Sequence, residues 1–119
     1  MLNDAHGLDH VYIACGYTDL RKGIDSLAAI VMTDFHLDPF TEGNMFLFCG
    51  RRTDRIKALL YEGDGFLLLY KRLANGKFQW PRNEEEVREL TTQEFRWLLE
   101  GLSINQPKAV PKISIKNVI

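Results

Sequence analysis

The sequence has little of what a disulfide scaffold or a zinc site requires. It contains two cysteines and three histidines in 119 residues. Cys15 and Cys49 each lie near the end of a short apolar run, which favours buried free thiols in a cytosolic protein. The histidines, His6, His10 and His36, form neither a C-x-x-C nor an H-x-x-x-H pattern with the cysteines, so we expect no metal and no cofactor.

Long apolar runs are also missing. No stretch reaches the roughly 18 apolar residues of a transmembrane helix, and the first residues, MLNDAHGLDH, have neither the basic nor the apolar region of a signal peptide. We therefore expect a cytoplasmic protein without a membrane partner. The sequence has no G-x-S-x-G, H-E-x-x-H, Walker or G-x-G-x-x-G motif, so we expect no enzyme and no small-molecule substrate.

The length and composition fit one compact domain. With 119 residues, 45% of them hydrophobic and 26% charged, the chain is long enough for one core and too short for two ordinary domains. We place the domain at residues 1–106. Residues 107–119 form a basic, Pro-containing tail that we expect to be extended or mobile.

Hydrophobic spacing predicts an α+β fold. The expected elements are a strand at 11–15, a helix with apolar positions from Leu20 to Phe35, strands at 45–49, 55–62, 65–73 and 77–80, and a second helix from Thr91. Thr18 or Asp19 is the expected cap of the first helix. Gly63-Asp64 and Asn75-Gly76 have the composition of two-residue hairpin turns. The prediction is a single domain with a central antiparallel β-meander packed against two main helices.

The second helix has the clearest start signals. Thr91 and Glu94 match a capping box, and Leu90 and Phe95 occupy the two positions of a hydrophobic staple. Gly101 is the expected end of this helix. Its expected buried face consists of Phe95, Leu98, Leu99 and Leu102.

Positive charge is concentrated in one segment. Residues 51–82 contain eight of the fifteen Lys and Arg residues and three acidic residues, whereas residues 1–50 contain two basic and seven acidic ones. The formal net charge of −1 hides this polarity. A basic block of this kind is typical of a surface that binds a polyanion.

The hairpin register assigns these charges to faces of the sheet. With Gly63-Asp64 as the turn, Lys57 faces Tyr70 and Arg55 faces Arg72; with Asn75-Gly76 as the next turn, Arg72 also faces Gln79. The opposite face is apolar except for Lys71, and we expect the helices to pack there. Its members are Ile56, Ala58, Leu60, Leu67, Leu69, Leu73, Phe78 and Trp80.

Two interpretations of the basic face remain open from the pattern alone. Arginines beside a tyrosine suit nucleic acid, because guanidinium groups bind phosphate bidentately and a ring stacks on a base. The same residues are equally typical of a solvated strand face. A metal-dependent nuclease would need clustered carboxylates, but Asp54 and Asp64 fall at opposite ends of a strand, about 25 Å apart at 3.3 Å per residue.

Four segments of the sequence resemble a known family. They are CGYTDLRKGIDSLA at 15–28, FLFCGRRTDRIKALLYEGDGFLLLYKRL at 46–73, FQWPR at 78–82 and ELTTQEFRWLLEGLS at 89–103. In these segments the chain resembles the TnpB-type accessory protein, the product of the second reading frame, of IS-sixty-six-like bacterial insertion sequences. The resemblance covers about residues 8 to 108.

The resemblance implies a role in DNA transposition beside a separate, larger DDE-type transposase. It implies no catalytic residue. The family is enriched in positions that match Asp19, Arg21, Lys22, Gly23, Arg51, Arg55, Lys57, Lys71, Arg72, Trp80 and Arg82.

Our leading hypothesis is a non-catalytic accessory protein that binds insertion-sequence ends, mainly through their phosphates. The candidate DNA-binding residues are Arg51, Arg52, Arg55, Lys57, Tyr70, Arg72, Lys77 and Arg82. The alternative is an adaptor that docks on the transposase or another element-encoded protein, with Trp97 and Arg96 as the contact residues. Trp97 covering an edge of the core is the competing interpretation. A homo-oligomer formed through an exposed edge strand is a third possibility.

Overall fold

The computed structural model of the chain describes residues 7–82 and 85–106. The predicted tail at 107–119 lies outside this range. The elements, in chain order, are β1 (His10–Ala14), α1 (Ile24–Thr33), β2 (Asn44–Cys49), β3 (Arg55–Tyr61), β4 (Phe66–Arg72), β5 (Val87–Leu90) and α2 (Thr92–Leu99). None of the described helices is long and apolar enough to cross a membrane.

The five strands form one sheet in the order β4-β3-β2-β1-β5. β2, β3 and β4 are a continuous antiparallel meander, as the sequence predicted. β1 runs parallel to β2, and α1 is the crossover between them. β5 pairs with the other edge of β1 in antiparallel orientation. The α+β class is therefore confirmed, with a parallel β1-α1-β2 unit that the sequence did not reveal.

Each face of the sheet is covered by a different helix. α2 packs against the face of Ile56 and Ala58 through Phe95 and Leu98. α1 packs against the opposite face through three buried residues, Leu27, Ala28 and Val31, in a cluster that includes Leu59. The expectation that both helices share one face is wrong, because the apolar half of the second face also needs to be covered. α1 covers that half and leaves the basic half open.

The β3–β4 register is as predicted. Arg55 is paired with Arg72, Lys57 with Tyr70, and Tyr61 with Phe66. Alternation therefore puts Lys71, which pairs with Ile56, on the α2 side of the sheet. Leu67 pairs with Leu60 on the predicted face, but it is 37% exposed.

The predicted strand at 77–80 does not form. Instead the Leu73 amide donates to the Asp54 carbonyl and the Phe78 amide to the Thr53 carbonyl, so the chain turns across the end of β3. Burial decides this path, because Phe78 and Trp80 both enter the α2-side core and the Trp80 indole N–H donates to the Ala14 carbonyl at 2.8 Å. The predicted pairing of Arg72 with Gln79 is therefore wrong.

α1 begins later than predicted. Its N-cap is Gly23, without a side-chain cap, and not Thr18 or Asp19. Asp19 instead accepts hydrogen bonds from the backbone and the guanidinium of Arg21, and its carbonyl accepts from the Lys22 amide. These contacts hold residues 18–22 in a turn, so the helix begins only after this segment.

α2 has the predicted ends. The Thr91 hydroxyl accepts from the Glu94 amide at 3.1 Å, while the Glu94 carboxylate accepts from the Thr91 amide at 2.9 Å. Gly101 has a φ of 80°, and the Leu102 amide donates to the Trp97 carbonyl, which completes a Schellman end. Because the chain reverses at Gly101, Leu102 points outward and is 45% exposed, so its predicted burial is wrong.

Both cysteines are free and buried, as predicted. The Cys49 thiol donates to the Arg52 and Arg55 carbonyls. Burial raises the pKa of Cys49 to about 11 and also raises the pKa of Cys15.

Candidate nucleic-acid interface

A cleft lies where the two parallel strands end. The chain leaves β1 at Gly16 and β2 at Gly50, and the carboxyl ends of neighbouring parallel strands are a common position for ligand sites. The cleft has a volume of about 610 Å³. It is lined by Tyr17, Thr18, Asp19, Leu20, Arg21, Gly50, Arg51, Arg52, Arg55, Lys57 and Tyr70.

One wall is the connection between β1 and α1. The Thr18 amide donates to the Cys49 carbonyl at 2.9 Å, which ties this segment to the end of β2. The two segments approach closely at Gly50, because a Cβ atom at this position would lie 3.3 Å from the Thr18 carbonyl oxygen. Asp19 and Arg21 form an exposed ion pair of 2.9 Å. Hydrogen bonds from Arg21 lower the pKa of Asp19 to about 2.

The second wall is the loop between β2 and β3. The carbonyls of Thr53 and Asp54 accept from the segment that follows β4, so the end of this loop is anchored to the sheet. Arg51 and Arg52, which precede the anchored part, are exposed. The loop therefore presents two guanidinium groups on a fixed backbone.

The floor of the cleft is the open half of the sheet face. Arg55 is largely covered and makes a bidentate ion pair with Asp54, at 2.8 and 3.2 Å. This pairing raises the pKa of Arg55 and lowers that of Asp54. The Lys57 ammonium donates to the Lys22 carbonyl at 3.0 Å. The basic face is thus partly neutralised by the protein itself, mainly at Arg55.

The ring of Tyr17 stands between two arginines. The guanidinium of Arg82 lies 4.0 Å from the ring centroid and that of Arg51 lies 5.6 Å from it. Arg82 also donates to the Gly16 carbonyl at 2.7 Å and to the Gly50 carbonyl. It therefore bridges the ends of β1 and β2 and contacts the Tyr17 ring.

The lining is strongly positive. It contains five basic residues and one acidic residue, a formal charge of +4. Asp54, paired with Arg55, reduces the local charge to +3. A concave surface with clustered positive charge raises the local concentration of anions and favours phosphate groups.

Comparison with known proteins gives the family. The family model described as IS66 Orf2 like protein matches residues 9–109. The chain belongs to this family. It is 37% identical over 98 residues to the uncharacterized protein y4hO of Sinorhizobium fredii, covering 82% of this chain and 84% of the relative. It is 31% identical over 111 residues to the uncharacterized protein y4jC of the same organism, covering 93% of each. No solved structure gives a significant match.

Membership in the IS66 Orf2 like family makes the chain an accessory protein associated with transposition of an insertion sequence. The resemblance inferred from the four sequence segments is thereby confirmed. In this family member, five of the predicted DNA-binding residues lie together as lining of the cleft: Arg51, Arg52, Arg55, Lys57 and Tyr70.

Three other predicted residues do not line the cleft. Arg72 is exposed beside it, across from Arg55 on the same face. Arg82 contacts the Tyr17 ring. Lys77 is exposed, but its backbone carbonyl lies against Gly101 at the end of α2, on the other side of the sheet. The structure therefore separates Lys77 from the basic face.

The predicted protein contact residues lie on α2. Arg96 is exposed and Trp97 is half-buried. Among residues 7–82 and 85–106, no group of three or more His, Cys, Asp or Glu residues is placed to hold a metal ion.

Sequence reasoning missed the wall that contains Tyr17 and Leu20. The residues of this wall were assigned to the start of the first helix, so their position opposite the 51–54 loop was not visible. The parallel pairing of β1 and β2 brings the two segments together. The usable signal was a glycine directly after each of two apolar strands, Gly16 and Gly50.

Proposed function

We propose that this protein is a non-catalytic transposition factor that binds DNA of its insertion sequence through the basic cleft. The observation that carries the proposal is the cleft lining of five basic residues around two exposed tyrosines, Tyr17 and Tyr70. For a protein associated with transposition, the DNA of the element is the polyanion that this cleft would bind. Guanidinium groups bind its phosphates through charge-assisted hydrogen bonds.

Phosphate contacts come from the exposed cations. Arg51, Arg52 and Arg72 are exposed, and each can meet a phosphate without breaking a carboxylate pair described in the structure. Arg55 contributes less, because Asp54 already occupies its guanidinium. Binding of this type releases counterions and weakens steeply as salt rises.

The non-catalytic role is consistent with the one carboxylate in the lining. Asp19 is held by Arg21, and its pKa of about 2 keeps it deprotonated at neutral pH. Both oxygens of this carboxylate accept hydrogen bonds from the Arg21 guanidinium. Its contact with Arg21 fixes the wall of the cleft.

The experiment is a titration of labelled element-end DNA with the purified protein at about 50 mM salt, where phosphate contacts are strong. We expect saturable binding by the wild type and clearly weaker binding by the Arg51→Ala/Arg52→Ala double variant, which removes two exposed charges from the cleft lining. Circular dichroism and a thermal melt of both proteins check that the variant is folded. Absence of binding at this salt concentration, or equal binding by the two proteins, would refute the proposal.

The second candidate is an adaptor that docks on the transposase or another element-encoded protein. Two observations favour it: the protein itself pairs Arg55 with Asp54, and β4 has only β3 as a neighbour in the described sheet. An unpaired strand edge can add a strand from a partner or from a second copy of the chain. A pull-down of the transposase that persists after nuclease treatment, together with no DNA binding, would favour the adaptor.

A further inference from the structure

The cleft contains more than positive charge. Tyr17 is 66% exposed and Tyr70 is 57% exposed, and they come from different elements, the β1–α1 connection and β4. Both line the same cleft. Phosphate binding alone does not explain why two large rings stand open to solvent beside the arginines.

The surroundings of the two rings differ from those of the other exposed aromatic residues. Phe40, 52% exposed, packs against the rings of Tyr61 and Phe66 at the turn end of the β3–β4 hairpin. Among the described residues, the rings of Tyr17 and Tyr70 contact cationic side chains instead of other rings. The Lys57 ammonium lies 5.9 Å from the Tyr70 ring centroid, and two guanidinium groups flank Tyr17.

The neighbouring cations contact the rings of Tyr17 and Tyr70 but leave much of their surface exposed to solvent. The Arg82 guanidinium lies 4.0 Å from the Tyr17 ring centroid and donates to the backbone carbonyls of Gly16 and Gly50. Lys57 is fixed by its hydrogen bond to Lys22 and stands beside Tyr70. Each ring is therefore positioned by the protein, yet more than half of each residue remains open to a ligand.

The two forms of DNA differ in what they offer to such rings. In a duplex the flat faces of the bases are stacked inside, and only base edges and phosphates are accessible. An unpaired nucleotide exposes a base face that stacks on an aromatic ring, while its phosphates meet basic side chains. The cleft volume of about 610 Å³ is within the range of sites that enclose small organic groups, roughly 300–1,000 Å³.

We propose that the cleft binds unpaired nucleotides of DNA, with a base stacked on Tyr70 and the adjoining phosphates on Arg51 and Arg52. This inference rests on the proposed function and narrows its ligand from DNA in general to single-stranded or locally opened DNA. Tyr17, whose ring already contacts two guanidinium groups, forms the opposite wall.

The test compares a labelled 20-nucleotide single strand with the duplex of the same sequence at one salt concentration, by fluorescence anisotropy. We expect the single strand to bind about tenfold more tightly than the duplex. Because loss of one stacked base costs affinity, Tyr70→Ala should weaken single-strand binding by roughly 5- to 150-fold. Duplex binding by Tyr70→Ala should stay within about twofold of the wild type, since phosphate contacts remain.

Two matched variants control for folding and for the loss of any ring. Tyr70→Phe keeps the stacking surface and should bind the single strand as the wild type does. Phe40→Ala removes a comparably exposed ring from the other end of the hairpin and should leave both affinities unchanged.

The outcomes separate this inference from the proposed function. If neither DNA form binds, the proposed function fails and this inference fails with it. If the duplex binds as tightly as the single strand, or Tyr70→Ala weakens both forms equally, the inference is overturned while DNA binding stands. A clear preference for RNA of the same sequence would overturn the assignment to DNA.

Discussion

Arg55 and Arg72 face each other across β3 and β4, on the half of the sheet face that α1 leaves uncovered. Two like charges at directly opposite positions destabilise a sheet unless anionic groups compensate them. Asp54 supplies part of this compensation through its bidentate pair with Arg55. Arg72 is exposed on the same face, which leaves the pair with an excess of positive charge for an external anion.

Removal of the Asp54 charge should strengthen DNA binding. Asp54→Asn frees the Arg55 guanidinium and removes one negative charge beside the cleft. Because phosphate contacts depend on the local positive charge, we expect tighter binding by Asp54→Asn than by the wild type at low salt. The control is Asp64→Asn, which removes the same charge from the turn at the other end of the hairpin. An equal gain from both substitutions would contradict a local effect at Arg55.

The capping box of α2 should contribute measurably to stability. Thr91→Ala removes the hydroxyl that accepts from the Glu94 amide, and loss of such a cap costs about 1 kcal/mol of unfolding free energy. Urea denaturation measures the difference. Thr92→Ala, one residue further into the helix, is the matched control and should cost clearly less. If the two variants are equally stable, the cap does not act as described.

The contact between His10 and Glu89 should make stability depend on pH. The two side chains are 2.7 Å apart, and the hydrogen bond to Glu89 raises the pKa of His10 above its ordinary value of 6.5. The stabilisation is fully present below the unfolded-state pKa and is lost as pH rises through the higher folded-state pKa. The expected result is that the stability difference between the wild type and Glu89→Gln shrinks from about pH 6 to pH 8, across the usual range of histidine titration.

An NMR titration gives the direct readout of the same contact. The His10 ring should titrate at a higher pH in the wild type than in Glu89→Gln. Equal His10 pKa values in the two proteins would contradict the account.

The two cysteines should be unreactive in the folded protein. Thiolate is the reactive form, and burial raises the pKa of Cys49 to about 11 and raises that of Cys15. A thiol reagent at pH 8 should react slowly with the native protein and rapidly with two thiols after unfolding. One thiol that reacts rapidly in the native state would show that its surroundings are open.

The sequence predicted the parts of the fold that depend on local signals. The β3–β4 register followed from side-chain alternation and the Gly63-Asp64 turn, and the ends of α2 followed from Thr91 and Gly101. These signals act within a few residues, so they do not depend on the rest of the chain.

The sequence failed where a distant contact decides the structure. The segment at 77–80 has hairpin signals, but it forms no strand because Phe78 and Trp80 are buried in the core on the α2 side of the sheet. β5 is only four residues long, contains two charged residues, and is a strand because it pairs with β1. The Tyr17 wall joins the cleft only through the parallel pairing of β1 with β2. Local patterns therefore identified the basic face but not the cleft that it forms with the Tyr17 wall.

The most direct measurement of the central claim is the salt dependence of DNA affinity. Arg51→Ala/Arg72→Ala removes one exposed charge that lines the cleft and one beside it, and Lys77→Ala/Arg96→Ala removes two exposed charges from the other side of the sheet. On a plot of log K against log salt, each lost phosphate contact with duplex DNA changes the slope by about 0.9. The account predicts that the first pair reduces the slope by about 1.8 and that the control pair leaves it unchanged. Equal slopes for the wild type and both double variants would contradict the assignment of DNA to the cleft.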